Sequence, residues 1–142
     1  MGGRSSGNVR QQEDALVFSG NLSLANNGGF ASVEFKLLRP LASATIEQLI
    51  LNVIADGRRY QLRLKTAYLP QGVAYVAEFT PQKHRYDYAF TLADFTGRYR
   101  GRSVLNLPAL NFADVTHVGI MLADKTAGPF QITLYSLSVG MK

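Results

Sequence analysis

Between Asp56 and Thr66 the chain reads DGRRYQLRLKT. Arg59, Gln61, Arg63 and Lys65 alternate with Tyr60, Leu62, Leu64 and Thr66. Guanidinium groups suit paired hydrogen bonds to carboxylate or phosphate. A strand sends successive side chains to opposite faces, so this spacing predicts a half-buried strand. One face is aromatic and aliphatic; the other holds three cations and an amide. FTGRYRGRSV (95–104) repeats the spacing with Arg98, Arg100 and Arg102, loosened by Gly97 and Gly101. This is the chemistry of docking an anionic or acidic surface.

No other set of residues makes a catalytic constellation. His84 lies in a polar turn and His117 at the start of a strand, and neither has the spaced partners that a zinc site requires. There is no Gly-x-Ser-x-Gly elbow, and the glycine pairs at 2–3 and 28–29 precede no helix and no Gly-Lys-Ser/Thr. Glu34, Glu78 and Asp87 fall at alternating outward positions, which reads as solvated surface charge rather than a glycosidase pair. Asp56, Asp94 and Asp124 stand at turns, where aspartate bonds nearby backbone amides; calcium in such loops is the competing reading. Of the seven tyrosines, Tyr68 in a loop and Tyr99 among arginines stand off the apolar faces. Aromatics interleaved with arginine bind sugar, single-stranded nucleic acid or protein. No nucleic-acid-reading motif is present, so nucleic acid is not an expected partner. No catalytic residue, metal or cofactor is expected, and the chain reads as a non-enzyme.

The elements that must position the arginines are short strands. Candidates are Ala15–Leu24, Phe30–Leu38, Ile46–Ala55, the arginine-row strand, Val73–Thr80, Tyr86–Thr91, Arg98–Val104, Thr116–Leu122 and Phe130–Val139. Asn26, Asn27, Gly28 and Gly29 give the strongest turn signal. Ile46–Ala55 is nearly continuous in apolar residues and reads as a strand buried on both faces, with a helix over Ala44–Leu51 as the alternative. Asp56-Gly57 then predicts a hairpin into the arginine-row strand. Asn111 is placed to cap one helical turn through Val115. About eight strands and almost no amphipathic helix predict an all-β fold, a jelly-roll β-sandwich. Residues 1–14, polar and rich in Gly and Ser, are expected to be an irregular N-terminal segment, with a single domain over 15–142.

Composition agrees. The chain has 142 residues, 46% hydrophobic and 18% charged, enough to bury a core without staples. It has no cysteine, which favours a reducing compartment. The net charge is +5, and ten of the fifteen cations are arginine. No apolar run has the length of a membrane span, and the start has no secretory h-region.

Four segments in order, NLSLANNGGFASVEFKL (21–37), ADGRRYQLRLKT (55–66), FTGRYRGRSV (95–104) and VGIMLADKTAGPFQITL (118–134), with MGGRSSG as a partial fifth, resemble the complex I intermediate-associated protein 30 family. The resemblance implies a galactose-binding-like jelly roll. It also implies a chaperone-like role in assembly of NADH:ubiquinone oxidoreductase, as for the family's mitochondrial members, with respiratory-complex subunits or assembly intermediates as protein partners. The compact form fits a bacterial-type, cytoplasmic protein. The matching positions are Asn26, Asn27, Gly28 and Gly29; Asp56 to Gln61 with Arg63; Arg98, Arg100, Gly101 and Arg102; and Asp124, Lys125 and Gly128 to Phe130. Among them the arginines can also pair internally with Asp56 or Asp124. The candidate partner- or ligand-binding residues are therefore Arg59, Gln61, Arg63, Arg98, Arg100, Arg102, Asn26, Asn27, Asp56, Asp124, Tyr68 and Tyr99. The alternative function is a carbohydrate-binding module that uses the jelly-roll face or end loops.

Overall fold

The computed structural model describes residues 6–23, 30–37, 48–99 and 102–140. Asn26, Asn27 and Arg100 lie outside the described residues. So do Gly28, Gly29, Gly101 and residues 44–47 of the stretch for which a helix was the alternative; the rest of it, residues 48–51, is strand.

Among the described residues eleven strands form two antiparallel sheets. They are β1 (Ser6–Gln12), β2 (Ala15–Leu22), β3 (Ala31–Lys36), β4 (Gln48–Ile54), β5 (Tyr60–Thr66), β6 (Val73–Phe79), β7 (Tyr86–Thr91), β8 (Thr96–Tyr99), β9 (Arg102–Ser103), β10 (Val115–Leu122) and β11 (Gly128–Gly140). One sheet has the order β1-β2-β11-β4-β7 and the other β3-β10-β5-β6-β8-β9. Two single 3-10 turns, Leu92–Asp94 and Phe112–Asp114, complete the described elements. Asn111 caps the second as expected, its Oδ1 accepting from the Ala113 amide at 3.0 Å. No helix among the described residues is long and apolar enough to cross a membrane.

The core forms because each central strand turns alternate apolar side chains inward. Leu49, Leu51 and Val53 of β4, with Phe18 of β2 and Ile132 of β11, face Tyr60, Leu62 and Leu64 of β5 and Ile120 and Leu122 of β10. Each such side chain contributes about 1.5–3 kcal/mol of burial. Phe79, Phe90, Phe95 and Phe112 continue the core as edge-on or tilted neighbours, with ring centroids 5.3, 6.0 and 5.8 Å apart in turn.

Four sequence expectations change. Residues 6–12 are not irregular: they form β1, an edge strand in register with β2 from Ser6↔Asn21 to Gln12↔Ala15. The two-residue turn Glu13-Asp14 closes that hairpin, with Glu13 at φ 53°. Backbone pairing to β2 overrides a polar composition, because an edge strand need bury little side chain. Second, β4 is not buried on both faces. Leu49, Leu51 and Val53 are buried while Ile50, Asn52 and Ile54 are half-buried. Third, Asp56-Gly57 does not make a hairpin. β4 pairs with β11 and β7, β5 with β10 and β6, so the turn carries the chain from one sheet to the other. Finally, the stretch Arg98–Val104 is two strands, β8 and β9, which pair Arg98↔Ser103 and Tyr99↔Arg102.

Candidate functional site

β5 is a central strand of the six-stranded sheet, and its alternation is as the sequence predicts. Tyr60, Leu62, Leu64 and Thr66 are buried, while Gln61, Arg63 and Lys65 are half-buried on the outer side. The register places Arg63 between Gly119 of β10 and Val76 of β6, and Gln61 between Met121 and Glu78. Val76 in turn pairs with Thr96 of β8, and Ala74 with Arg98. Val76 and Ala74 are buried although they face outward. The middle of this face is thus a floor of small side chains on which Arg63 lies. Gly119 keeps the floor low: a Cβ there would stand 3.0 Å from the Val33 carbonyl oxygen.

The cations of this face have unequal surroundings. Lys65 Nζ pairs with Glu34 Oε1 at 3.1 Å, and Arg59 Nε stands 3.8 Å from Glu78 Oε2. Among the described residues Arg63 reaches no carboxylate: its Nη1 donates to Gln61 Oε1 at 3.0 Å and lies 3.9 Å from Met121 Sδ. Desolvation lowers the Arg63 pKa from its ordinary value, Glu34 pulls it back up, and Arg98 lowers it again. Arg98 therefore belongs to the same field, its Nε donating to Thr96 Oγ1 at 3.3 Å. Arg102 does not: it pairs with Tyr99, so it shares the opposite side from Arg98. The two-strand reversal breaks the parity that a single strand would have kept.

Asp56 and Asp124 sit elsewhere, in a clamp built on Arg58. Arg58 donates through Nε to Asp124 Oδ2 at 2.9 Å and through Nη2 to Oδ1 at 2.7 Å. It also donates to the carbonyls of Gly128 at 3.2 Å, Pro129 at 3.0 Å, and Thr126. Asp56 accepts from the Arg58 amide at 3.2 Å, the Tyr60 hydroxyl at 3.1 Å and the Gln131 amide at 2.9 Å. The clamp ties together the two connections that cross between the sheets, β4 to β5 and β10 to β11. Its hydrogen bond to Asp124 raises the Arg58 pKa against desolvation. For Asp124, desolvation pushes upward, but hydrogen bonds from Arg58 and the Thr126 amide prevail and hold the carboxyl below its usual range. Burial, then the charge of Asp56 and the bond to it, push the Tyr60 hydroxyl far above the ordinary phenol range.

The two tyrosines also stand apart from the arginine face. The Tyr68 hydroxyl is 3.4 Å from Asp114 Oδ2 and 3.5 Å from the Ala109 carbonyl oxygen. The Tyr99 ring covers Gly72, where a Cβ would lie 2.8 Å from it. Of the candidates among the described residues, the structure brings together Arg59, Gln61, Arg63 and Arg98. Gly119, Val76 and Met121 join them; their only sequence signal is alternation on β6 and β10. Among the described residues no cluster of three His, Cys, Asp or Glu could hold a metal ion.

The fold defines a galactose-binding-like jelly-roll β-sandwich whose one outer face carries an arginine row. The chain belongs to the Complex I intermediate-associated protein 30 family, whose model matches residues 1–134. No curated protein sequence matches it. Solved structures share the fold. A family 11 carbohydrate-binding module from Clostridium thermocellum, in complex with a mixed-linked tetrasaccharide, is similar over 92% of this chain and 82% of its own, with TM-score 0.61 and 12% identity. A family 30 carbohydrate-binding module matches over 99% and 92%, with TM-score 0.61 and 12% identity. The structure of PfGH50B matches over 98% of this chain and 22% of its own, with TM-score 0.65 and 13% identity.

Proposed function

We propose that this chain is a non-catalytic assembly module that docks an acidic surface of a protein partner on the outer face of its six-stranded sheet. The partners are components or intermediates of a respiratory NADH:ubiquinone oxidoreductase, and the compartment is the cytoplasm, which the cysteine-free sequence favours. Family membership supports the assembly role. The observation that carries the docking face is Arg63. It is half-buried at the centre of the face, and among the described residues its guanidinium meets an amide and a thioether but no carboxylate. A partly desolvated cation is costly without a counter-charge, so a partner's Asp or Glu improves the energy of both groups. Arg59 and Arg98 at the flanks add a field that steers acidic surfaces.

The second reading, a carbohydrate-binding module, rests on the sugar-binding modules that share the fold. Against it, the described residues of this face include no Tyr, Phe or Trp on which a sugar ring stacks.

The test is co-purification from native cells of tagged wild type and of Arg59→Ala/Arg63→Ala, with mass-spectrometric scoring of the oxidoreductase's subunits. Wild type retains them, retention weakens with added salt, and the double variant loses most of it with its Tm nearly unchanged. Equal retention by the variant refutes the docking face. Binding of a mixed-linked glucan by wild type, with no subunits retained, selects the second reading.

A further inference from the structure

Four strands lie at the sheet margins, and three of them are guarded in the usual ways. β1 carries Arg10, β3 carries Lys36, and β9 is only two residues long and carries Arg102. Charged side chains and shortness keep a margin from pairing with another chain. β7 is less guarded: its one charged side chain is Asp87. Its sequence, YDYAFT, contains no Lys, Arg, Pro or Gly. It pairs with β4 over six residues, Tyr86↔Val53 to Thr91↔Gln48, without a bulge. Its other side has no strand partner among the described residues.

Beside that open margin runs a cleft of about 450 Å³, lined among others by Glu78, Phe79, Tyr86, Asp87, Tyr88 and Asp94. It opens where β8 stops: β8 pairs with Val73 to Val76 of β6, leaving Ala77 to Phe79 without a strand partner on that side among the described residues. Tyr86 is 56% exposed and makes an edge contact with Tyr88 at 5.2 Å between centroids. The aromatic side chains offer the alternate pockets that an added strand fills.

The cleft is also acidic, and each carboxylate is only half used. Asp87 Oδ1 accepts from Asn52 Nδ2 at 2.6 Å, Asp94 Oδ2 accepts from the Thr91 amide at 2.7 Å, and Glu78 Oε2 faces Arg59 at 3.8 Å. The second oxygen of each accepts no hydrogen bond among the described residues. In a chain of net charge +5, this is a local field of opposite sign.

We propose that the open margin of β7 is a strand-addition site that takes an extended, lysine- or arginine-bearing segment of a partner protein. The backbone of β7 supplies the ladder, Tyr86 and Tyr88 hold the stems or the charged heads of the inward side chains, and the three carboxylates select cations over anions. The added strand would join the five-stranded sheet, not the sheet of β5; the two sites share only Glu78, which pairs with Arg59.

The experiment uses the whole chain labelled with ¹⁵N and a capped hexapeptide of alternating Val and Lys as probe. Amide shifts should concentrate on residues 86–91. The Val/Glu peptide should bind at least about tenfold more weakly, and N-methylation of alternate peptide bonds should abolish binding in one of its two phases. Tyr86→Lys, at an exposed position, should weaken the Val/Lys peptide by a similar factor with Tm unchanged; Asp87→Asn, which removes the charge but keeps an oxygen to accept from Asn52, is the second such variant. Shifts centred elsewhere, equal binding of both N-methylated phases and the parent, or indifference to peptide charge overturns the proposal. So does a dimer of the free chain that pairs β7 with β7, because the margin then serves a second copy.

Discussion

Replacing Arg58 should cost far more than replacing its neighbour Arg59, although the two are adjacent in one basic run. The Arg58 and Asp124 side chains keep only 14% and 12% of their surface exposed, and the guanidinium makes a two-pronged pair with the carboxylate. Removing one partner of a buried pair costs about 3–5 kcal/mol, mostly because the other charge is left uncompensated. The clamp lies at the rim of the sandwich, where the carbonyls of Thr126, Gly128 and Pro129 can turn to water. The expected loss for Arg58→Met is therefore about 3 kcal/mol, a fall in Tm of about 10 °C for a chain of this size. Urea unfolding followed by tyrosine fluorescence measures it directly. Arg58→Met/Asp124→Asn should recover part of the loss, since no charge is then left unpaired. Arg59→Ala, at an exposed pair with 3.8 Å separation, should change stability by less than about 0.5 kcal/mol. The clamp argument is refuted if Arg58→Met costs under about 1 kcal/mol, or if the double variant loses as much as the two single losses added.

Two further outcomes follow from buried polar groups. The Thr66 hydroxyl oxygen is buried without a hydrogen-bond partner among the described residues, so Thr66→Val should raise stability by about 1 kcal/mol in the same urea titration. The Asp124 carboxyl is held below its usual range by Arg58, so its contribution is complete above the unfolded-state value of about 3.9 and is lost as pH falls through the lowered folded value. Asp124→Asn should accordingly flatten that acid limb of the stability profile between pH 5 and pH 2, all in rough figures; an unchanged limb would count against the assignment.

The arginine row was legible because alternation on β5 is dictated by the pleat, and the burial of Tyr60, Leu62 and Leu64 leaves Arg63 one side to occupy. The sequence could not show which sheet each strand joins. Asp56-Gly57 has the residues of a tight turn, and Gly57 does take a positive φ of 82°. Whether the next strand folds back or crosses over depends on Arg58 and Asp124 meeting across 66 residues of chain. The same limit separated Arg98 from Arg102: spacing of two implies one face only while the strand continues. β1 escaped notice because its stability comes from ladder bonds to β2, which composition does not record. Asp56, Asp124 and the arginines were all marked, yet only geometry divided them into a clamp at one end and an open field on β5.

The strand order carries a consequence for how the chain is made. β2, near the start, is flanked by β1 and by β11, and the second of these partners is the last strand: Phe18 lies opposite Ile132. β4 also waits for β11, as Leu51 lies opposite Leu137. During synthesis neither β2 nor β4 can complete its ladder until residues 128–140 have been made. The five-stranded sheet therefore closes long after its first strands are made, as expected for a fold rich in long-range pairing. Until β11 is in place, β2 and β4 present unpaired, apolar edges, and the growing chain is exposed to aggregation.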